Sequence, residues 1–273
     1  MIFYFSGTGN TRWAVDILSK ATGEKTVFIP DVVSERYEPS LVEGERIGFC
    51  FPVHGWQPPT LVREFIKKLS IDDASGRYVY SLVTAGDNIG ETMDILRNDL
   101  IKKDIPLHSV CSLIMPESYV GLPFMDVDSK EKERTKIMEA KKQLEWFADI
   151  VERKVKGAEQ LTTGRWPKTN SRLLGSIFYN FLITDKHFHI DAAKCIGCGR
   201  CTTSCSVDNI EREKGGTPKW KHNGRCMTCF NCYHHCPTHA IEFGKMTKNK
   251  GQYFFGHRNE EPTNRIAEKD MNL

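Results

Sequence analysis

Cys195-Ile-Gly-Cys-Gly-Arg-Cys-Thr-Thr-Ser-Cys-Ser-Val-Asp-Asn-Ile210 and Cys226-Met-Thr-Cys-Phe-Asn-Cys-Tyr-His-His-Cys-Pro-Thr-His-Ala-Ile241 coincide at every cysteine and at the closing isoleucine. Each is a Cys-x2-Cys-x2-Cys-x3-Cys run, and a cation, Lys194 or Arg225, precedes each first cysteine. The repeat holds eight of the ten cysteines, while Cys50 and Cys111 stand apart in strand-like stretches and read as buried structural thiols. A secreted disulfide framework spreads its cysteines through a small domain. Clustering in one segment points to metal instead.

One tight Cys-x2-Cys-x2-Cys loop supplies three thiolates, and a [4Fe–4S] cluster takes its fourth from a distance. In a duplicated unit the fourth cysteine of each run serves the other cluster. Cys195, Cys198, Cys201 and Cys236 therefore form one predicted ligand set, and Cys226, Cys229, Cys232 and Cys205 the other. Zinc sites pair separated two-ligand arms, and plant-type [2Fe–2S] spacing does not fit. Gly197 and Gly199 allow backbone N–H groups to approach sulfur, and Lys194 and Arg225 offset anionic charge. His234, His235 and His239 flank the second run and read as solvated or as tuning groups, since eight thiolates already complete the ligand count.

The repeat resembles the bacterial two-cluster ferredoxins over residues 187–244. Cys236-Pro237 follows that family's pattern, whereas Cys205-Ser206 departs from it and predicts a looser turn. The stretch Asp208–Arg225 is longer than in the smallest ferredoxins and reads as an inserted hairpin.

Residues 1–156 have a different rhythm. Ile2–Phe5, Thr26–Ile29, Arg46–Phe51, Tyr78–Thr84 and Ser109–Met115 read as five strands. Helical patterns lie between them at Thr11–Ala21, Pro59–Leu69 and Gly90–Lys102, and a charged helix follows at Ser129–Lys156. Such βαβ alternation predicts a doubly wound parallel sheet, with ligands outside the carboxyl ends of its strands. After the first strand, Ser6, Gly7, Thr8, Gly9, Asn10 and Thr11 open a helix. Hydroxyls, glycines and helix N–H groups there suit a phosphate monoester, although a plain helix cap has the same residue types. The loop is neither a Walker A motif nor Gly-x-Gly-x-x-Gly, because Arg12 occupies the last position.

That loop resembles the FMN phosphate site of flavodoxins. Pro52, Val53, His54, Gly55 and Trp56, after strand three, look like the first flavin-flanking loop of that family. Thr84, Ala85, Gly86, Asp87 and Asn88, after strand four, look like the second. The resemblance implies that Trp56 stacks on the flavin and that Gly55 lets a peptide turn toward it. Asn88 and the Gly86 backbone would then meet the pyrimidine edge. The aromatic that many flavodoxins carry in the second loop is missing, and Tyr119 is the candidate substitute.

The chain thus divides into a flavodoxin-like domain at 1–156, a connector at 157–186, a small α+β ferredoxin domain at 187–256 and a polar tail at 257–273. In the connector, Gly157–Asn170 reads as loop. Leu173, Leu174, Ile177, Phe178, Phe181 and Leu182 form one helical face expected to pack between the domains. The whole resembles flavodoxin–ferredoxin fusions of anaerobes, which implies FMN, two [4Fe–4S] clusters and electron exchange with a redox partner protein. The alternative is an FMN-dependent reductase of a quinone or nitro compound. A net charge of +3 does not argue for nucleic acid or anionic membrane. No apolar run approaches the ~20 residues of a membrane span, and no secretory signal is visible, so the chain reads as cytoplasmic.

Overall fold

The computed structural model describes residues 1–256 except Asp72 and Lys214, so the predicted tail at 257–273 lies outside the described residues. The first part runs β1 (Ile2–Tyr4), α1 (Asn10–Thr22), β2 (Thr26–Phe28), α2 (Ile29–Val33), β3 (Ile47–Pro52) and α3 (Thr60–Lys68). It continues with β4 (Val79–Ala85), α4 (Thr92–Ile101), β5 (Ser109–Ile114), α5 (Lys130–Glu152) and β6 (Glu159–Gln160). Every pairing in this sheet is parallel, in the order β2-β1-β3-β4-β5-β6. The first five strands have the flavodoxin-like order. The sheet has six strands where five were expected. Glu159 and Gln160 are polar and too few to show alternation, yet they pair with Val110 and Cys111 on the β5 edge.

Side chains alternate across the sheet with period two. Phe3, Phe5, Phe49 and Phe51 face α3 and α4, whereas Ile2, Tyr4 and Cys50 face α1 and α5. Helices therefore cover both faces, as the strand runs require. Cys50 and Cys111 are fully buried, and burial pushes both thiols up, Cys111 to about 12. Ser129 caps α5 by accepting from the Lys132 N–H, and the charged side of that helix faces solvent.

The C-terminal part runs β7 (Phe188–Ile190), α7 (Arg200–Ser204), β8 (Ile210–Glu211), β9 (Lys219–Trp220), α8 (Asn231–His234) and β10 (Ile241–Phe243). β7 and β10 pair antiparallel around a core of Phe188, Phe230, Tyr233, Ile241 and Phe243. β8 and β9 form the expected hairpin between the two cysteine runs. This part does not float free. Val207 and Met227 enter the core that Phe3 and Phe5 belong to, and Arg36 pairs with Asp208.

The connector overturns one expectation. It is helical from Thr169, with π-type turns at Thr169–Leu174 and Phe178–Leu182 around α6 (Gly175–Ile177). Leu173, Leu174, Ile177 and Phe181 are exposed instead of packed between domains. The inward stripe is Ser171, Gly175 and Phe178, because the helix approaches the loop after β3 too closely for larger residues. A Cβ on Gly175 would lie 2.5 Å from the Gly55 carbonyl oxygen. Among the described residues no helix is long and apolar enough to cross a membrane.

Gly48 in β3 tests the packing of the sheet. A Cβ there would lie 2.6 Å from the ring of Tyr80, which is fully buried. Gly48→Ala should destabilise the chain by about 1–3 kcal/mol through overpacking. A lower urea midpoint with unchanged slope is the expected result.

Candidate functional site

The two cysteine runs share one backbone. Gly197 and Thr228, the second x residues of their loops, both have positive φ. So do Gly199 and Phe230, which open α7 and α8, and Asp208 and His239, three residues past the fourth cysteine. Asn209 N–H donates to Cys205 Sγ at 3.3 Å, and Ala240 N–H donates to Cys236 Sγ at 3.2 Å. The turn after Cys205 therefore matches its proline-bearing twin, and Ser206 does not loosen it.

Cys195, Cys198, Cys201 and Cys236 line one pocket. Cys205, Cys226, Cys229 and Cys232 line another. The fourth cysteine of each run thus crosses to the other set. Among the described residues no group of three or more His, Cys, Asp or Glu converges as the ligands of a single metal ion. Sulfurs that ring a cavity suit a cluster better than zinc. Burial pushes the thiols of Cys201 and Cys229 up to about 11 and that of Cys226 to about 12. Coordination deprotonates such thiols outright, so loading the sites releases protons.

The loops predicted at the strand ends do gather at one edge of the sheet. After β1, Ser6, Thr8, Asn10 and Thr11 are buried. Ser6 Oγ accepts from the Arg12 N–H, and Thr11 Oγ1 lies 2.8 Å from Thr84 Oγ1. Asn10 donates to the Pro116 carbonyl and accepts from the Tyr253 hydroxyl. Phe255 packs on Gly9 and donates its N–H to the Thr8 carbonyl at 2.7 Å.

After β3, His54 and Gln57 close a tight turn, with Gly55 and Trp56 both at positive φ. Val53 N–H donates to the Thr84 carbonyl, which ties this turn to the end of β4. Ser171 Oγ donates to the Trp56 carbonyl, and Phe178 lies on Gly55. After β4, Met115 N–H donates to the Ala85 carbonyl and Lys136 Nζ donates to the Gly86 carbonyl. Asp87 is exposed and accepts from the Asn88 amide. Tyr119 sits between Phe178 and Phe230, with ring centroids 5.3 Å from each.

Three of the predicted residues carry a buried polar atom without a partner: His54 Nδ1, Asn88 Oδ1 and Tyr119 Oη. They come from the loops after β3, β4 and β5. Buried polar atoms are nearly always paired, so these three at the loops after β3, β4 and β5 are exceptions within the chain. His54 is half-buried overall, but burial still pushes its imidazole down to about 4.

Several residues at the site escaped the sequence reading. Glu117 presses against Gly86, and its carboxylate accepts from the Ser118 and Tyr119 N–H groups. Burial raises its pKa against those hydrogen bonds. Its place beside Tyr119 in the chain was the available signal. Arg212, on the hairpin, donates to the Gly197 carbonyl and packs against Gly199. His234 is not solvated. It is 1% exposed, its Nε2 bonds the Ser118 carbonyl, and its Nδ1 accepts from the Tyr253 N–H.

Residues 187–237, which include all eight clustered cysteines, match the 4Fe-4S dicluster domain family. The C-terminal unit is a ferredoxin-like dicluster domain. Two solved structures resemble the N-terminal part, one from Bacteroides eggerthii DSM 20697 and one from Bacteroides uniformis ATCC 8492, both described as candidate flavoproteins. They are 16% identical and cover 51% and 50% of this chain, and 96% of their own, with TM-scores of 0.32 and 0.30. No curated protein matches the chain.

The two cysteine sets of the dicluster domain differ in surroundings. Phe5 from the end of β1 lines the second cavity together with Met227 and Phe188. A Cβ on Gly7 would lie 3.2 Å from Cys229 Cβ and 3.8 Å from its sulfur. The first cavity opens the other way: Cys198 is exposed and Ile196 is 66% exposed.

His54 gives a pH test. The unfolded imidazole titrates near 6.5 and the folded one near 4, so between these values the unfolded chain binds more protons. Its contribution is complete above about pH 6.5 and fades as pH falls toward 4. From pH 7 to pH 5 the loss should be about 2 kcal/mol, and His54→Gln should flatten that slope. Urea titrations at the two pH values measure it. Equal slopes in both proteins would refute the assignment.

Proposed function

We propose that the chain is an electron-transfer protein that holds an FMN at the loops after β1, β3, β4 and β5 and one [4Fe–4S] cluster on each cysteine set. It exchanges electrons with a redox partner protein. One observation carries the reading: the second cysteine set lies directly against the phosphate-type loop, with Gly7 in contact with Cys229. Electron transfer falls steeply with distance, and this contact supports a cluster next to the edge where doubly wound sheets bind their ligands.

The residues fit both groups. Two rings of four thiolates, with peptide N–H groups donating to sulfur, suit cubane clusters. Ser6, Thr8 and Thr11 hydroxyls with the first N–H groups of α1 suit a phosphate. Asn88 Oδ1 and Tyr119 Oη would find partners on the ring system, and Gly55 and Trp56 would line it. FMN supplies a centre that takes one or two electrons, whereas each cluster passes one.

Anaerobically purified protein should contain about eight irons per chain and one FMN by extraction and fluorescence. Cys236→Ala should remove the cluster of Cys195, Cys198 and Cys201 and leave the other. The expected result is about half the iron and one surviving EPR signal in the reduced protein. Loss instead of the cluster of Cys226, Cys229 and Cys232, shown by repeating the measurement on Cys198→Ala and finding that the other signal disappears, would overturn the crossed ligand sets. Fast reduction of a quinone without any protein partner would replace the carrier reading with the reductase.

A further inference from the structure

We infer that the face around Cys198 is a docking site for an acidic, one-electron carrier protein. The inference rests on reading the two cysteine sets as cluster sites. The inner set is walled in by Phe5, Met227 and the loop at Gly7. Among the described cysteines Cys198 alone is exposed, and Ile196 projects between Cys195 and Cys198 at 66% exposure.

Charge identifies the partner. Within residues 194–204 the only charged side chains are Lys194 and Arg200, both exposed. Lys194 meets Asp191 at 3.5 Å, but both are well exposed, and such pairs hold little energy. The hairpin beside this loop adds Arg212, against Gly197 and Gly199, and exposed Lys219, next to Pro218 of the cavity wall. Glu211 and Glu213 are the exposed acids of the same hairpin.

Across residues 187–256 there are ten Lys and Arg against five Asp and Glu. Of those five, Asp208 is tied to Arg36 and Glu242 is buried against Thr247, which leaves Asp191, Glu211 and Glu213 against the exposed Lys194, Arg200 and Lys219 and the half-buried Arg212. An apolar residue at the centre of a basic rim is the anatomy of a small, transient contact steered by charge. One electron crosses per encounter. The protein that gives it is oxidised by one electron, the other is reduced by one, and no bond or proton needs to move.

The test uses the full, iron-loaded chain with a small acidic two-cluster ferredoxin as the probe. Binding should weaken at least about tenfold between 0.05 and 0.5 M salt. Carbodiimide cross-links should fall on Lys194 and Lys219. Arg200→Glu, and separately Lys219→Glu, which is outside both cysteine runs, should each weaken binding several-fold with both EPR signals retained. Lys142→Glu on α5 should leave it unchanged. Affinity indifferent to salt and to both reversals would overturn the inference, as would cross-links confined to the connector or α5. These readouts need no flavin. Iron-loaded protein that binds here but takes up no FMN when FMN is added supports the docking face and sinks the FMN reading. FMN-loaded protein that does not bind here sinks the docking face alone.

Discussion

The absence of a side chain at residue 7 lets the inner cysteine set touch the loop after β1. A Cβ there would press on Cys229 at 3.2 Å, and a larger residue would push the dicluster domain off the sheet edge. The neighbours make this contact hard to relax. Val207 and Met227 sit in the same core as Phe3 and Phe5, so separating the domains would expose them. Burying such a side chain stabilises by about 1.5–3 kcal/mol. The junction is therefore part of the fold's core and not a chance surface encounter. The sheet places its ligand edge there, and the second cysteine loop is packed onto it.

The connector holds the other side of that edge. Ser171 is fully buried and works in three directions: its hydroxyl accepts from the Glu91 N–H and donates to the Trp56 carbonyl, and its own carbonyl accepts from the Gln57 amide. Trp56 sits at positive φ, a conformation that costs a non-glycine residue about 1–3 kcal/mol. The Ser171 bond and the paired His54–Gln57 backbone offset that strain. Glu91 is further held by a bidentate pair with Arg172 on the connector. The turn is thus fixed from the connector as well as from the end of β4.

What the sequence disclosed follows from the range of the forces involved. Cluster ligation is set by local spacing, so the eight cysteines and their crossing were legible before any fold was known. Strand and helix periods were legible for the same reason. The connector's inward face was not, because close approach of two backbones selects Ser171 and Gly175, which carry no hydrophobic signal. His234 illustrates a second limit. It looked like a surface histidine beside a cluster, but Tyr253 and Ser118, from opposite ends of the chain's contact order, enclose it. Glu159–Gln160 joined the sheet only because β5 offered an open edge.

The difference between the two cysteine sets bears on energetics as well as geometry. Adding an electron to a thiolate-bound cluster adds negative charge, and a buried charge is worse solvated than an exposed one. Solvent exposure and hydrogen bonds to sulfur are the principal levers on cluster potential. The fourth cysteine of each set accepts a peptide N–H in the same position, so that lever is nearly balanced between them. Exposure differs at one ligand: Cys198 is open to water, although Cys201 and Cys236 of its set are buried, while no cysteine of the inner set is exposed and Cys229 lies under Gly7. On the proposed reading the outer site holds the added charge more easily, and the inner site next to the β1 loop is the more reducing of the two. An electron that arrives at the outer site is then held more tightly there than at the inner site, so the inner site passes it on only while an acceptor beyond it keeps withdrawing charge.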